Sequence, residues 1–275
     1  MIDIVICVDG TKSQDYKNRS VENFYKQVQV GPNGYKIYEH GPQEAVTGSD
    51  WINIRDRVIK ALDEIAVKLG EKTFFNGYNC TIGKRNEYRF IMVGHSRGGH
   101  IIIHLARMLK YRTHFMGLFD AVERTDAIGW DDSKIVYNVD HIYHAIRDIS
   151  VGSRTSKKLK WGMNPLLWGT AGFDVAEYGV ARLMDFKNTG TKSGDGGEYV
   201  SKTFKTSHGG IGGDVLTHTL VSVPVIEPFL SDDSCAITFF NQSEAQVKKM
   251  ELCITESTEA DRFVREGARK YGVRI

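Results

Sequence analysis

The sequence predicts an α/β protein in which a mostly parallel central sheet is covered by helices on both faces. Short apolar runs rich in β-branched and aromatic residues alternate along the chain with segments whose apolar residues recur at helical spacing. Strands that alternate with helices are joined by crossover connections, which produce parallel sheets buried on both faces. The 275 residues, of which 41% are hydrophobic, suffice for one large domain with a substantial core. We therefore expect a single domain over residues 1–275.

The expected elements follow one another from the first residues onward. Strands are predicted over residues 2–8, 35–39, 88–93, 115–119, 134–139, 199–204 and 235–240. Helices are predicted after an N-cap at Ser20, from an N-cap at Asp50 to Gly70, directly after the strand at 88–93, over a short segment containing His141 and His144, and from Ser243 onward. The helix after Asp50 carries a clear apolar stripe, which predicts that it packs on one face of the sheet.

Charge and composition argue against several kinds of partner. The formal net charge is +2 with both signs interspersed, and no zinc finger, helix-turn-helix or RNA-binding motif is present, so nucleic-acid binding is not expected. The chain opens directly into the strand at residues 2–8, which is too short and uncharged at its start for a secretory signal. No run of about 18 or more apolar residues follows. We expect synthesis in the cytoplasm without a signal peptide.

The four cysteines give no sign of a disulfide framework or a zinc site. Cys7, Cys80, Cys235 and Cys253 are widely separated, and no two of them have C-x-x-C spacing. Two of them fall in strand-like apolar runs. We expect reduced thiols that serve in packing.

The most informative segment is residues 94–98, which read Gly-His-Ser-Arg-Gly. This is the G-x-S-x-G spacing of a nucleophile elbow, a strained turn from a strand into a helix that exposes a serine hydroxyl. The glycines are required because neighbouring backbone passes close to the serine. An apolar strand-like run precedes the motif and a helical pattern follows it, as the motif demands. The pattern predicts Ser96 as a catalytic nucleophile and the α/β-hydrolase fold.

A serine nucleophile needs a histidine base, and in this fold the base lies downstream of the serine. His100 and His104 lie on the helix of the elbow itself, where ordinary helix positions are expected. His208 follows a predicted strand and begins a turn with four glycines, whose backbone can direct an imidazole toward the sheet edge. We predict His208 as the base, with His144 as the next candidate. The alternative is a surface turn with an incidental histidine.

The histidine in turn needs a carboxylate that holds its tautomer. Asp120 comes at the carboxyl end of the first strand after the elbow helix, where ligands and catalytic groups of α/β sheets collect. We predict Asp120 as the acid. A turn or N-cap aspartate is the alternative explanation, and Glu123, Asp126 and Asp140 remain competitors.

The negative charge that develops on the substrate carbonyl oxygen needs two hydrogen-bond donors. The backbone N–H after the nucleophile, that of Arg97, is the expected first donor. The second is expected from the loop after an early strand, where Gly10 lets the chain approach the substrate and Thr11 has a hydroxyl and an N–H to donate. A simple tight turn is the alternative for this loop.

Six short motifs along the chain together resemble a known family. They are residues 7–11 (Cys-Val-Asp-Gly-Thr), Asn23 within residues 21–25, residues 94–99, residues 118–122 (Leu-Phe-Asp-Ala-Val), residues 144–148 (His-Ala-Ile-Arg-Asp) and residues 208–213 (His-Gly-Gly-Ile-Gly-Gly). In this order they resemble the α/β-hydrolase domain of type VI secretion lipase effectors and of related uncharacterised hydrolase-domain proteins. The resemblance spans nearly the whole chain. It implies an esterase that acts on phospholipid acyl chains, with Ser96, Asp120 and His208 as its triad, and it adds export by a signal-peptide-independent secretion system as an open alternative.

The segment at about residues 157–186 is a candidate lid. Its large apolar side chains include Trp161, Leu167 and Trp168, and a run of lysines precedes them at residues 157–160. Tryptophans beside lysines suit a lipid–water interface, and lids of this kind gate acyl pockets. A helix packed on the sheet remains the alternative.

The leading expectation is a serine hydrolase that cleaves carboxylic esters through an acyl-enzyme, without a cofactor. A metal site at Asp140, His141 and His144 is disfavoured because no further ligand has matching spacing. The expected substrate is an acyl ester or a phospholipid, which would bring contact with a membrane surface; protein partners are not indicated. Two alternatives stay open, namely a soluble carboxylesterase or thioesterase for small acyl groups and a catalytically silent binding module with the same fold.

Overall fold

A six-stranded parallel sheet forms the centre of the protein. The structure is a computed structural model, and it describes residues 1–11, 19–42, 50–76, 87–123, 135–148, 187–206, 208–213 and 244–275. The sheet strands are β1 (Ile2–Val8), β2 (Tyr35–Glu39), β3 (Tyr88–His95), β4 (Thr113–Phe119), β7 (Val139–Arg147) and β10 (Glu198–Phe204). Two short pairs lie outside it, formed by β5 (Val122–Glu123) with β8 (Lys187–Asn188) and by β6 (Ile135–Val136) with β9 (Lys192–Ser193). The prediction of an α/β protein with a mostly parallel sheet is confirmed.

The order of the strands places a topological switch point beside β1. The sheet runs β10-β7-β4-β3-β1-β2, and each neighbouring pair is parallel. The chain moves outward from β1 to β2 and then returns to β3 on the opposite side of β1. In open α/β sheets, the crevice at the carboxyl ends of the strands beside such a reversal is where ligands bind.

Helices cover both faces of the sheet. They are α1 (Ser20–Gln27), α2 (Asp50–Lys68), α3 (Arg97–Met108), the single turn α4 (His208–Ile211) and α5 (Glu244–Lys270). One core cluster joins alternate residues of β1 to α2 and α3, and the other joins the intervening residues of β1 to α1 and α5. Because β1 is covered on both sides, its side chains from Asp3 to Val8 are all buried. This explains the continuous apolar run at the start of the chain.

The apolar stripe of α2 packs as predicted. Ile54, Val58 and Leu62 are almost completely buried, and Leu69 is partly buried against the same cluster. Gly70 follows the helix with a φ of 77°, a left-handed conformation that glycine adopts without strain. At the start of α1, by contrast, the N-cap is Arg19 and Ser20 is the first helical residue, so the predicted N-cap is wrong by one position.

The short helix predicted around His141 and His144 is wrong, because both residues lie on strand β7. This strand is inserted between β4 and β10 and is hydrogen-bonded on both sides. Asn138 precedes it with a φ of 62°, and its side-chain amide donates to the carbonyl oxygens of Ala106, Leu109 and Tyr111. The left-handed backbone at Asn138 separates β6, which ends at Val136, from β7, which begins at Val139. The uninterrupted strand predicted over residues 134–139 is therefore wrong.

The predictions for the last part of the chain have mixed outcomes. The helix expected from Ser243 onward is α5. The strand predicted at residues 235–240 and the lid segment at 157–186, with Trp161, Leu167 and Trp168, lie outside the described residues. Across the described ranges, none of the helices has the length and apolar character needed to cross a membrane.

Candidate active site

Ser96 occupies the sharp turn between β3 and α3. Its φ of 55° and ψ of −127° are an unusual conformation for a residue other than glycine, and its backbone N–H donates to the carbonyl oxygen of Phe119 at 3.0 Å. A Cβ added to Gly94 would lie 2.8 Å from backbone atoms of Gly98, and one added to Gly98 would lie 2.3 Å from the carbonyl oxygen of Asp9. The two glycines of the motif therefore allow three segments of backbone to meet around the serine.

Asp120 lies directly after β4, on the strand next to the elbow. Its φ of 42° turns the chain away from the sheet, and its backbone N–H donates to the carbonyl oxygen of Ala145 at 2.7 Å. Aspartate tolerates this left-handed conformation better than most side chains do. The side chain is completely buried at the carboxyl edge of the sheet.

His208 connects the serine to the aspartate. Its Nε2 lies 2.7 Å from Oγ of Ser96, and its Nδ1 lies 2.6 Å from Oδ2 of Asp120. The carboxylate is an acceptor only, so Nδ1 carries the hydrogen and Nε2 is left to accept the proton of the serine. The residue begins helix α4, whereas the sequence predicted a glycine-rich turn at this position. The structure thus brings the three predicted residues together in hydrogen-bonding order.

The Asp120 carboxylate is ionised despite its burial. Burial opposes ionisation, but the hydrogen bond from Nδ1 of His208 and the positive charge of Arg147 outweigh it and lower the pKa of Asp120 to about 2. Nε of Arg147 lies 3.3 Å from Oδ2, and the backbone N–H of the same residue donates to Oδ1 at 3.3 Å. The carboxylate therefore carries a negative charge beside the His208 ring.

The loop after β1 lies beside the elbow, as predicted, but its amide is engaged. The N–H of Gly10 donates to Oδ1 of Asp9 at 3.0 Å, and the hydroxyl of Tyr38 donates to Oδ2 of the same carboxyl at 2.9 Å. Burial raises the pKa of Asp9 to about 6, although both hydrogen bonds act in the opposite direction. In this arrangement the N–H of Gly10 is already used in the hydrogen bond to Asp9.

Thr11 contacts the residue that follows the nucleophile. Nε of Arg97 donates to Oγ1 of Thr11 at 2.7 Å, and the Arg97 side chain is buried. A Cβ added to the neighbouring Gly10 would lie 3.2 Å from Cβ of Ser96, which places this loop against the nucleophile. The three residues predicted for the oxyanion hole, Arg97, Gly10 and Thr11, therefore lie around the serine. The N–H of Gly10 is used in a bond to Asp9, whereas Oγ1 of Thr11 acts as an acceptor toward Arg97.

His95, the residue before the predicted nucleophile, contacts the backbone of the predicted base. Its Nε2 lies 3.1 Å from the carbonyl oxygen of His208, so Nε2 carries the hydrogen and donates it. Burial lowers the pKa of His95 to about 3, and the ring is neutral. The ring is enclosed by backbone, because a Cβ added to Gly10 or to Gly212 would lie 2.4 Å or 2.3 Å from its atoms.

His144, the alternative base, supports the acid instead. Its Nε2 accepts a hydrogen bond from the backbone N–H of Ala121 at 3.2 Å, and its Nδ1 lies 3.3 Å from the carbonyl oxygen of Gly190. Both ring nitrogens therefore have partners, Nε2 in the turn that follows Asp120 and Nδ1 at Gly190 and at the hydroxyl of Tyr199. Burial lowers the pKa of His144 to about 4. The residue holds backbone and does not face Ser96, which removes it as a candidate for the base.

The other candidates for the acid lie elsewhere or outside the described structure. Asp140 is near the amino end of β7, where Nε of Arg112 donates to it at 2.6 Å. Ser96 and Asp120 lie at the opposite, carboxyl end of the sheet. Glu123 is in β5, and Asp126 lies outside the described residues. Among the described residues no group of three or more histidine, cysteine, aspartate or glutamate side chains is placed to hold a metal ion.

The sequence did not indicate that Asp9 and His95 contact backbone beside the site, and it suggested His144 only as an alternative base. Each acts on backbone groups of a neighbouring turn, and such contacts leave no spacing signal in the chain. Asp9 and His95 do adjoin predicted functional residues, and His144 lies in a motif used for the family resemblance. No family model and no curated protein matches this chain.

Proposed function

We propose that this protein is a serine hydrolase of the α/β-hydrolase fold that cleaves carboxylic esters through an acyl-enzyme. The observation that carries the proposal is the continuous series of hydrogen bonds from Ser96 through His208 to the buried Asp120. Nucleophile (Ser96), acid (Asp120) and base (His208) occur in this order along the chain, as they do in α/β-hydrolases. A serine hydroxyl is a weak nucleophile alone, and a base oriented by a carboxylate is what activates it.

The first half of the proposed reaction acylates Ser96. Oγ attacks the carbonyl carbon of the ester while its proton passes to Nε2 of His208, and the π electrons of the carbonyl move onto its oxygen. The carboxylate of Asp120 stabilises the imidazolium that forms. When the tetrahedral intermediate collapses, the bond to the alcohol oxygen breaks and His208 protonates that leaving group. In the second half, a water molecule takes the place of the alcohol, and its oxygen attacks the acyl carbon while its proton passes to Nε2 of His208. The bond between the acyl carbon and Oγ then breaks, and His208 returns the proton to Oγ, which releases the acid and restores Ser96.

An acyl lipid, and phospholipid in particular, is the proposed substrate class. The support is the similarity of the six ordered motifs to type VI secretion lipase effectors, and the large apolar residues with neighbouring lysines at residues 157–173. Contact with a membrane surface and export by a signal-peptide-independent secretion system belong to the same proposal.

The test compares hydrolysis of a panel of substrates by the wild-type protein and by a Ser96→Ala variant. Purified protein is incubated with p-nitrophenyl acetate, p-nitrophenyl butyrate and vesicles of phosphatidylglycerol and phosphatidylethanolamine, and released nitrophenol and fatty acid are measured. We expect hydrolysis by the wild type and none by Ser96→Ala at an unchanged melting temperature. Activity on the small esters alone would reassign the protein as a carboxylesterase, and activity on none of the substrates would support a silent binding module.

A further inference from the structure

The loop after β1 contains two candidates for the second hydrogen-bond donor of the proposed oxyanion hole, the N–H of Gly10 and the hydroxyl of Thr11. Gly10 is in place next to Ser96, but its N–H donates to Oδ1 of Asp9. The other carboxyl oxygen of Asp9 accepts from Tyr38, so this buried group is held from two sides. Turning the Gly10 amide toward a substrate would leave a buried carboxyl oxygen without its partner, which is costly.

The hydroxyl of Thr11, unlike the N–H of Gly10, accepts a hydrogen bond and keeps its own hydrogen for donation. A hydroxyl has one hydrogen to donate and two lone pairs to accept with, whereas an arginine side chain only donates. Because Oγ1 of Thr11 accepts from Nε of Arg97 at 2.7 Å, its own hydrogen is not used in that bond. The positive charge on the guanidinium also draws electron density from Oγ1, which makes the hydroxyl a stronger donor.

The fold fixes this pair beside the nucleophile. Arg97 is the first residue of α3 and follows Ser96 directly, and its side chain is buried with 3% of its surface exposed. Thr11 is joined to Gly10, where an added Cβ would lie 3.2 Å from Cβ of Ser96. The backbone N–H of Arg97 and the hydroxyl of Thr11 thus belong to the two segments that border the serine.

We propose that the Thr11 hydroxyl is the second oxyanion donor and that the Arg97 guanidinium is the positioning residue that aims it. The inference rests on the proposed function. Arg97 then contributes to both donors of the oxyanion hole: its backbone N–H is one donor, and its side chain orients the Thr11 hydroxyl, which is the other. As Oγ of Ser96 bonds to the carbonyl carbon and its proton moves to His208, the electron pair of the broken π bond collects on the carbonyl oxygen between these two hydrogens.

Four single variants and one double variant test the proposal with p-nitrophenyl butyrate as the probe. Thr11→Val keeps the shape of the side chain and removes the hydroxyl, and we expect kcat to fall by about 10²- to 10³-fold with little change in KM, because the donor acts in the transition state. Thr11→Ser keeps the hydroxyl and should retain most of the activity. Arg97→Met should lower kcat in the wild-type background and have no further effect in the Thr11→Val background, because the guanidinium acts through Thr11. Arg97→Lys, which keeps a cation but loses Nε, should resemble Arg97→Met.

Controls separate this effect from lost stability. Thr258→Val and Arg262→Met make the same chemical changes on the exposed surface of α5 and should leave kcat unchanged. If Thr11→Val retains more than half of the wild-type kcat, or if Arg97→Met lowers kcat equally in both backgrounds, the inference is overturned. A wild type that neither hydrolyses the ester nor reacts with a fluorophosphonate overturns the proposed function as well. An active wild type with an unaffected Thr11→Val variant overturns this inference alone.

Discussion

Nε2 of His95 donates a hydrogen bond to the carbonyl oxygen of His208 at 3.1 Å, so the residue before the proposed nucleophile holds the backbone of the proposed base. The two rings lie 5.0 Å apart between centroids. The chain separation between these residues is large, and the bond ties the elbow to helix α4. The position of His208 relative to Ser96 is therefore fixed from the elbow itself.

Removing this bond should slow turnover without unfolding the protein. His95→Phe keeps a flat ring in the space bordered by Gly10 and Gly212 but has no hydrogen to donate. We expect kcat on p-nitrophenyl butyrate to fall by about 10- to 100-fold, because small misplacements of a catalytic group are costly. His95→Ala should in addition lower the melting temperature, since it leaves a cavity. A His95→Phe enzyme with the wild-type kcat would show that the bond does not position the base.

Asp120→Asn tests the carboxylate of the triad. Asparagine tolerates the left-handed backbone at this position, so the turn should be retained. The amide, however, favours the wrong imidazole tautomer and lacks the charge that stabilises the imidazolium, and we expect kcat to fall by about 10⁴-fold. Asp140→Asn, which removes a carboxylate at the other end of the sheet, is the matched control and should keep its activity. A loss of less than tenfold in Asp120→Asn would mean that another group orients His208.

Gly98→Ala should prevent correct folding of the elbow. The added Cβ would lie 2.3 Å from the backbone carbonyl oxygens of Val8 and Asp9, which cannot move without disturbing β1. We expect loss of soluble expression or a large drop in melting temperature. Gly31→Ala is the matched control, because the nearest atom to its Cβ is 3.9 Å away, at the end of the Arg274 side chain. Similar melting temperatures for the two variants would contradict the close packing at the elbow.

Four buried histidines should make the protein sensitive to mild acid. Burial lowers the pKa of His95 and His100 to about 3 and that of His104 and His144 to about 4, from 6.5. The unfolded chain binds protons on these rings below about pH 6.5 and the folded protein does not. The free energy of unfolding should therefore fall as the pH falls toward 4, by about 1.4 kcal/mol per pH unit for each ring.

Asp9 acts in the opposite direction. Its pKa is raised from 3.8 to about 6, so between these pH values the folded protein keeps a proton that the unfolded chain releases. This cancels the contribution of one of the four histidines to the pH dependence of the free energy of unfolding. Urea unfolding at about pH 7, 6 and 5 measures the net slope. His100→Asn should reduce the slope by about one proton. A free energy of unfolding that is independent of pH over this range would contradict the buried neutral histidines.

The sequence allowed the sheet and the grouping of Ser96, Asp120 and His208 to be predicted because most of the signals are local. A continuous apolar run marks a strand buried on both faces, and G-x-S-x-G with its flanking pattern marks the turn at Ser96. His208 and Asp120 could be chosen because the chain order of the triad and the ends of strands restrict the candidates. These choices required no knowledge of which distant segments touch.

The wrong helix at His141 and His144 and the unpredicted hydrogen bond of Gly10 both depend on contacts that sequence spacing does not show. His141 and His144 were predicted on a helix because the local pattern does not show that β4 and β10 pair with this segment from both sides. The engagement of the Gly10 N–H depends on the side chain of the residue before it and on Tyr38, which belongs to the neighbouring strand. Neither the pairing nor the rotamer can be inferred from spacing.

The most direct test of the proposed function is covalent labelling of Ser96. The protein is incubated with a fluorophosphonate, digested and analysed by mass spectrometry, beside Ser96→Ala and His208→Ala variants. We predict a single phosphonyl adduct on the peptide that contains Ser96, none in Ser96→Ala, and labelling slowed by orders of magnitude in His208→Ala, since the triad acts as a unit. A folded wild-type protein that forms no adduct, or one that forms it at a different residue, would contradict the assignment of Ser96 as the nucleophile.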